Sequence, residues 1–190
     1  MEFFPIFLKL RHQRCLLVGG GEVALRKARL LLAAGASLQV VAPELAPELA
    51  DLAERGELEH LPGRYAPALL DGMRLAVAAT DDAEVNRAVA ADAEARGILV
   101  NVVDDAEASR YISPAIIDRS PLMVAVASGG SVPVLARSIR ARLESLIPAG
   151  YGRLARFGSS FRDAVKARFP MSMPAAVSGK PCWKGRWPTR

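Results

Sequence analysis

Histidine and cysteine are scarce in this 190-residue chain, which has two of each. Both histidines, His12 and His60, lie far from the polar strand ends described below, so we expect no permanent metal site. Cys15 opens an apolar run and Cys182 lies in an irregular tail, a pairing that indicates no disulfide framework. A resident metal centre and a disulfide-stabilised secreted module are therefore excluded.

Long hydrophobic runs are also absent, although 51% of the residues are hydrophobic. No run approaches the ~18 apolar residues that a membrane-spanning helix requires. The start of the chain, MEFFP, has neither a basic region nor a small-residue cleavage site, which argues against secretion. We therefore expect a soluble, cytoplasmic protein without a membrane partner.

The positive charge is unevenly distributed along the chain. The formal net charge is +5, and residues 151–190 hold nine of the 25 Lys and Arg residues but one acid, Asp163. A basic end can attract nucleic acid, yet only Trp183 and Trp187 are interleaved with the charges of the tail. Solvated surface charge is the commoner explanation, and nucleic acid is not an expected partner.

A glycine turn at residues 19–21 lies between an apolar strand pattern and an amphipathic helix pattern over residues 22–34. This order of strand, turn and helix is the context of a dinucleotide phosphate site. Gly19 suits the tight turn, Gly21 lets the backbone approach a pyrophosphate, and Ala24 allows close helix packing. The alternative is a structural turn in another kind of α/β protein.

Apolar strand patterns alternate with helix patterns, which predicts an α/β fold with a Rossmann-like, doubly wound parallel sheet. Such sheets bind ligands at the carboxyl ends of their strands, so functional residues are expected there. The strands predicted after the first are residues 37–41, 58–61, 74–80, 98–104 and 122–127, and the helices are residues 22–34, 45–55 and 82–96.

Glu44 follows the second predicted strand and has two possible roles. Its carboxylate can accept hydrogen bonds from an adenosine ribose, or it can cap the helix that follows Pro43. No Lys or Arg lies between Arg29 and Arg55 to hold a 2′-phosphate. The sequence therefore favours NAD over NADP.

Polar residues also follow the fourth and fifth predicted strands. For Asp81 and Asp82, which follow Thr80, helix capping is the favoured role. Asp104 differs because no clean helix start follows it, so its carboxylate is a candidate proton acceptor. A loop-surface acid is the alternative for Asp104.

Other catalytic devices are missing from the sequence. None of the three tyrosines has a lysine four residues later, which excludes the Tyr-Lys machinery of short-chain dehydrogenases. No base is evident beside Ser128 that would activate it as a nucleophile.

Six motifs follow one another in the chain. They are PIFLKL at residues 5–10, GGGEVA at residues 19–24 with Arg26 and Lys27, ATDD at residues 79–82 with Asn86, NVVD at residues 101–104, SPA at residues 113–115 through RSPL at residues 119–122, and SGG at residues 128–130. In this order they resemble siroheme synthase and, more narrowly, its precorrin-2 dehydrogenase and sirohydrochlorin ferrochelatase module. The resemblance covers residues 3–169.

The resemblance implies a bifunctional enzyme, an oxidoreductase and a lyase of siroheme biosynthesis. It would oxidise precorrin-2 with NAD to sirohydrochlorin and then insert ferrous iron as a second substrate. Asp104 would be the general base, and would also assist transient iron insertion. Asn101, Ser128 and Gly129 would line the tetrapyrrole site. The motif and the resemblance together assign cofactor contacts to Gly19, Gly21, Glu22, Val23, Pro43, Glu44 and Thr80.

Ser128 also matches a family position at which phosphorylation is a possible control. A serine in an ordinary turn before Gly129 and Gly130 is the alternative. Two positions depart from the family pattern, since Val132 stands where Ser is usual and Ala127 where a hydroxyl residue is common.

The resemblance further implies a homodimer in which residues 113–148 form the dimerisation segment. An apolar stripe along residues 132–146, capped by Ser131 and ended by Pro148, is compatible with this role. We expect residues 1–112 to form the NAD-binding domain and residues 149–170 a helical segment, shortened relative to the family. Residues 171–190 are expected to be a disordered tail or the product of a different reading frame.

A non-catalytic NAD-binding regulator is the alternative function. Tight NAD binding without turnover of a tetrapyrrole would favour it.

Overall fold

The computed structural model describes residues 2–130 and 132–168. Its first part is a five-stranded sheet in the order β3-β2-β1-β4-β5, with every neighbouring pair parallel. The predicted Rossmann-like fold is thereby confirmed. The elements are β1 (Arg14–Val18), α1 (Glu22–Ala33), β2 (Ser37–Ala42), α2 (Pro47–Glu54), β3 (Glu59–Pro62), a 3-10 turn (Pro67–Leu70), β4 (Leu75–Ala78), α3 (Ala83–Ala95) and β5 (Leu99–Val102).

Alternate residues of the strands form two hydrophobic cores, one on each face of the sheet. Leu17 and Val40 pack with residues of α1 and α2 on one face. Leu16 and Val100 pack with α3 on the other. Because both faces are covered, the strands are apolar at nearly every position, which is why their sequences lack alternation. Cys15 lies in the first core, where burial raises the pKa of its thiol to about 11.

The second part of the chain is a hairpin followed by three helices. They are β6 (Ala115–Arg119), β7 (Leu122–Val126), α4 (Pro133–Leu146), α5 (Gly150–Ser160) and α6 (Arg162–Arg168). The prediction that residues 122–127 form a further strand of the parallel sheet is wrong, since β7 pairs antiparallel with β6 in a separate sheet. A parallel neighbour needs a long crossover, and the two residues between β6 and β7 permit only an antiparallel partner.

The apolar stripe of α4 is largely exposed in the single chain. Val134 is 66% exposed, Leu135 52% and Leu146 68%. Such a surface is typical of a face that another chain covers. The predicted cap Ser131 and the predicted tail, residues 171–190, lie outside the described residues. Within those residues, each helix is too short or too polar to cross a bilayer.

Candidate functional site

The glycine turn joins β1 to α1 and touches the loops that follow β4 and β2. Gly19 has a positive φ of 124°, and a Cβ there would lie 2.2 Å from the carbonyl oxygen of Ala79. A Cβ on Gly20 would lie 2.0 Å from the carbonyl oxygen of Glu44. Both positions therefore require glycine for reasons of packing. The motif assigned no role to Gly20, because its contact is with a residue that the fold brings near.

Gly21 has open surroundings, in contrast to the tightly packed Gly19 and Gly20. A Cβ built on it would meet no atom within 4 Å, so the space beside it is open. Gly21 is the N-cap residue of α1, and no described side chain caps this helix. The N–H groups of Glu22 and Val23 stand at the first turn, where an α-helix has no internal acceptor for them. The arrangement is an anion site that a pyrophosphate can approach.

Glu44 lies exposed beside the glycine turn, after Pro43. The alternative that Glu44 caps α2 is wrong, because α2 begins at Pro47, its N-cap residue is Ala46, and no side chain caps it among the described residues. Instead, the N–H of Ala46 donates to the carbonyl oxygen of Gly20 at 2.7 Å. Glu44 is thus exposed and has no capping role, and its contact with an adenosine ribose stays a prediction.

The loop after β4 is held by an internal hydrogen-bond network. The hydroxyl of Thr80 donates to Oδ1 of Asn86 at 2.7 Å, and Nδ2 of Asn86 donates to the carbonyl oxygen of Thr80 at 2.9 Å. Asp82 caps α3, since its Oδ1 accepts from the N–H groups of Glu84 and Val85. The predicted capping role is confirmed for Asp82 and wrong for Asp81, because the N-cap of α3 is Asp82 and its side chain accepts the capping bonds. Cofactor contact by Thr80 stays a prediction.

Asn101 and Lys27 form the centre of a polar cluster at the end of β5. Nζ of Lys27 donates to Oδ1 of Asn101 at 2.8 Å and to the hydroxyl of Ser113 at 2.9 Å. Nδ2 of Asn101 donates to the carbonyl oxygen of Tyr111 at 3.1 Å. Asn101 is buried, so its amide is held by these internal contacts.

Lys27 was missed as a site residue by sequence reasoning. Lys27 lies on α1, 74 residues from Asn101. Its place in the helical pattern is typical of a surface lysine. The only sequence feature that pointed to Lys27 as a site residue was its place beside Arg26 in the second motif. Burial, and secondarily Arg26, lower the pKa of the Lys27 ammonium, while the Asp104 carboxylate raises it. Lys27 therefore experiences the field of the predicted base.

Asp104 lies exposed in a turn of residues 103–106, with a positive φ of 59°. This turn, the β5 turn, is tied to β4, because the N–H of Val103 donates to the carbonyl oxygen of Ala78 at 2.9 Å. Asp105 caps the β5 turn, because its Oδ1 accepts from the N–H of Ala108 at 2.9 Å. A left-handed aspartate is an uncommon conformation that is enriched at functional sites. These features are consistent with the predicted base, which stays a prediction.

Ser128 and Gly129 belong to the connection from β7 to α4, outside the parallel sheet. Oγ of Ser128 accepts from the N–H of Val132 at 3.3 Å, and Gly129 has a positive φ of 63°. A Cβ on Gly130 would lie 3.5 Å from Cβ of Ala106, which places this serine turn beside the β5 turn. The structure therefore brings the turn that contains Ser128 and Gly129 beside the turn that contains Asp104, and substrate contact by these residues stays a prediction. Phosphorylation of Ser128 stays a prediction.

Comparisons with known proteins agree with this geometry. Residues 6–115 match the family described as "Putative NAD(P)-binding", and residues 150–173 match the "Sirohaem synthase dimerisation region". The chain is 56% identical over 185 residues to a siroheme synthase of Methylobacillus flagellatus, covering 97% of this chain and 40% of the relative. It is 58% identical over 169 residues to siroheme synthase 3 of Aeromonas hydrophila, covering 89% of this chain and 36% of the relative. The chain thus spans about two fifths of the length of these curated relatives.

A solved structure is similar over nearly the whole chain. It is that of SirC, a precorrin-2 dehydrogenase, with a TM-score of 0.72 and 27% identity, covering 90% of this chain and 83% of that one. The matched dimerisation region begins after the predicted dimerisation segment of residues 113–148, whose boundaries stay a prediction.

Proposed function

Because this chain belongs to the siroheme synthase family and contains an NAD(P)-binding domain, we propose that it oxidises precorrin-2 to sirohydrochlorin with NAD. One observation carries the proposal. The open glycine turn and the Asp104 carboxylate lie at the same carboxyl edge of one parallel sheet, after β1 and β5. The similarity to a precorrin-2 dehydrogenase structure supports it.

The residues of the glycine turn fit a dinucleotide. The open space beside Gly21 leaves room for a pyrophosphate, and the first N–H groups of α1 can donate to its oxygens. Glu44, which does not cap α2, can accept hydrogen bonds from the adenosine ribose and repels a 2′-phosphate. NAD, when bound, supplies the hydride acceptor.

Asp104 serves as the proton acceptor in this proposal. Oxidation removes a hydride and a proton from precorrin-2, and the exposed carboxylate takes the proton. Asp105 supplies the capping bond of the β5 turn, which leaves the Asp104 side chain available for chemistry. The Asp104 carboxylate lies close enough to Lys27 to raise the pKa of its ammonium, against the larger lowering by burial.

Insertion of ferrous iron into sirohydrochlorin is the second step that we propose for the same site. Chelation displaces protons from the pyrrole nitrogens, and Asp104 can accept them as it does in the first step. Membership of the siroheme synthase family supports this step. Iron is a transient substrate here, and Asp104 assists its insertion.

The proposed assembly is a homodimer. The match to a dimerisation region and the exposed apolar side chains of α4 and α5 support it. Leu154 and Phe157 of α5 are 58% and 63% exposed, which continues the apolar surface beyond α4.

Spectroscopy of the purified protein tests both steps. Precorrin-2 and NAD should give the visible spectrum of sirohydrochlorin, and later addition of Fe²⁺ should give that of siroheme. Omission of NAD should prevent the first change. NAD binding without any turnover of precorrin-2 would instead identify a non-catalytic NAD-binding regulator.

A further inference from the structure

Lys27 presents an ammonium group at the carboxyl end of the sheet that the proposed mechanism does not use. Its side chain reaches from α1 to the end of β5 and is half-buried. Asn101 and Ser113, its two hydrogen-bond partners, are both neutral. In the part of the chain that the structure describes, no carboxylate lies in salt-bridge contact with Lys27.

This arrangement leaves the positive charge incompletely compensated. Burial penalises an ammonium, and neutral oxygens offset less of that penalty than a carboxylate does. The lowered pKa of Lys27, due first to burial, agrees with this description. Among the residues that the structure describes, Asn101 and Ser113 accept from two of the three N–H donors of Lys27, which leaves the third for a ligand.

The position of Lys27 separates it from the pyrophosphate site. Lys27 lies six residues beyond Gly21 along α1, which is ~9 Å of helix rise. Its contacts are with the end of β5 and with Ser113, on the side where Asp104 lies. An anion held by Lys27 would therefore belong to the molecule that faces Asp104.

We propose that Lys27 binds a carboxylate of the tetrapyrrole substrate. The inference rests on the proposed function, under which the ligand is a tetrapyrrole that carries several acetate and propionate side chains. A charge-assisted hydrogen bond to one carboxylate orients the macrocycle against Asp104. Asn101 and Ser113 hold the ammonium in place, so they are positioning residues in this arrangement.

Binding measurements on three variants test the inference. In Lys27→Met the affinity for sirohydrochlorin, followed by absorbance titration, should fall about 10- to 100-fold because a charge-assisted bond is lost. NAD affinity, measured by calorimetry, should stay within about twofold, since no pyrophosphate contact is removed. Lys27→Arg should restore part of the affinity. Arg29→Gln is the matched control, because it removes a positive charge from the exposed side of α1, where Arg29 pairs with Glu48.

Salt dependence separates a charge contact from a purely structural one. The affinity of the parental protein for sirohydrochlorin should fall as salt rises, and the fall should be shallower in Lys27→Met. If Lys27→Met does not fold, as judged by circular dichroism, Lys27→Gln keeps a donor and removes the charge.

Three outcomes are decisive. If Lys27→Met and Lys27→Gln bind sirohydrochlorin with the affinity and salt dependence of the parental protein, the inference is overturned. A loss of NAD affinity alone would also overturn it, because it would assign Lys27 to the cofactor. A parental protein that binds no tetrapyrrole would instead refute the proposed function, and the inference with it.

Discussion

Single residues at this site are explained by contacts that differ between neighbours in the sequence. Gly20 packs against Glu44 with no room for a side chain, whereas Gly21 faces open space. Asp105 caps the β5 turn, whereas Asp104 does not. Each pair therefore places a candidate functional residue next to a structural one, and substitutions can distinguish the two roles.

The glycine turn gives the first such comparison. Gly21→Asp should abolish NAD binding and leave a folded protein, because it places an anion where the pyrophosphate must approach. Gly20→Ala should lower the free energy of unfolding by about 2 kcal/mol or more, since the new Cβ meets a backbone carbonyl oxygen. Calorimetry with NAD and urea denaturation measure the two effects. Unchanged NAD affinity in Gly21→Asp would make the turn purely structural.

Asp104→Asn should slow oxidation of precorrin-2 by about 10²- to 10⁴-fold, because the amide cannot accept the proton. NAD binding should survive, and iron insertion should slow as well if one carboxylate serves both steps. Asp105→Asn is the matched control, since it keeps the oxygen that accepts from the N–H of Ala108. An Asp104→Asn enzyme with a near-parental rate would rule out the assignment, and loss of one activity alone would show that the two steps use different groups.

Glu44 should make the protein prefer NAD to NADP by about tenfold or more in Kd, through repulsion of the 2′-phosphate. Glu44→Gln should narrow this difference. A basic residue, Arg64, lies near the end of β2 in the structure. It follows Gly63, whose N–H donates to the carbonyl oxygen of Ala42. Arg64→Gln in the Glu44→Gln background should weaken any NADP binding gained. Equal binding of both cofactors by the parental protein would show that Glu44 points elsewhere.

At the scale of elements, the parallel sheet positions the candidate site residues by bringing the carboxyl ends of its strands to one edge. The chain leaves β1, β2, β4 and β5 at one edge, and hydrogen bonds tie the loops to one another. The helices start at this edge with different caps. No described side chain caps α1, which can therefore accept an anion, whereas Asp82 caps α3. Since α2 also has no side-chain cap among the described residues, the open space beside Gly21 is the further feature that marks the start of α1 as the candidate anion site.

Removal of the α3 cap should affect stability rather than cofactor binding. Asp82→Ala should cost about 0.5–2 kcal/mol in the free energy of unfolding, because two N–H groups lose their acceptor. Asp81→Ala removes the neighbouring charge without removing this cap, so its effect should be within about 0.5 kcal/mol. Chemical denaturation of both variants makes the comparison. Equal costs would contradict the cap assignment.

At the scale of the molecule, the described residues form the parallel-sheet part and the hairpin with its helices, which are joined near the candidate site. Lys27 contacts Ser113, which lies just before the hairpin, and Gly130 lies beside Ala106 of the β5 turn. The exposed apolar face of α4 follows directly after this junction. The face proposed for dimerisation therefore follows closely in the chain on the residues of the proposed substrate site.

Replacing Leu135 and Ile139 together with Glu should give monomers or insoluble protein. In a dimer these exposed apolar side chains would be covered, and an unpaired buried charge costs several kcal/mol. Arg137→Glu is the control, because two residues along a helix lie on nearly opposite sides. Light scattering measures the mass. A soluble, fully active monomer from the double variant would refute an interface on this face.

Interactions between near neighbours in sequence were predictable. Covered parallel strands are apolar along their length, amphipathic helices alternate with them, and a capping aspartate reaches N–H groups two and three residues away. From these patterns follow the parallel sheet, the glycine turn at its edge and the role of Asp82. The position of Asp104 after a strand made it a candidate proton acceptor, with a surface acid as the alternative. The resemblance to the family favoured the base and added the substrate residues.

The sequence by itself determined the strands and helices of the parallel sheet and where polar residues end them, because local periodicity reports whether a face is buried. The strand patterns did not predict β6 (Ala115–Arg119). Local periodicity does not report what covers a buried face. The antiparallel pairing of β7 with β6 is local by contrast, since only two residues separate these strands. Only the tertiary structure decided that Gly20 must be glycine because Glu44 packs on it, and that Lys27 meets Asn101. These contacts join residues far apart in the chain, and they arise only when the sheet order and the crossovers bring the carboxyl ends of the strands together.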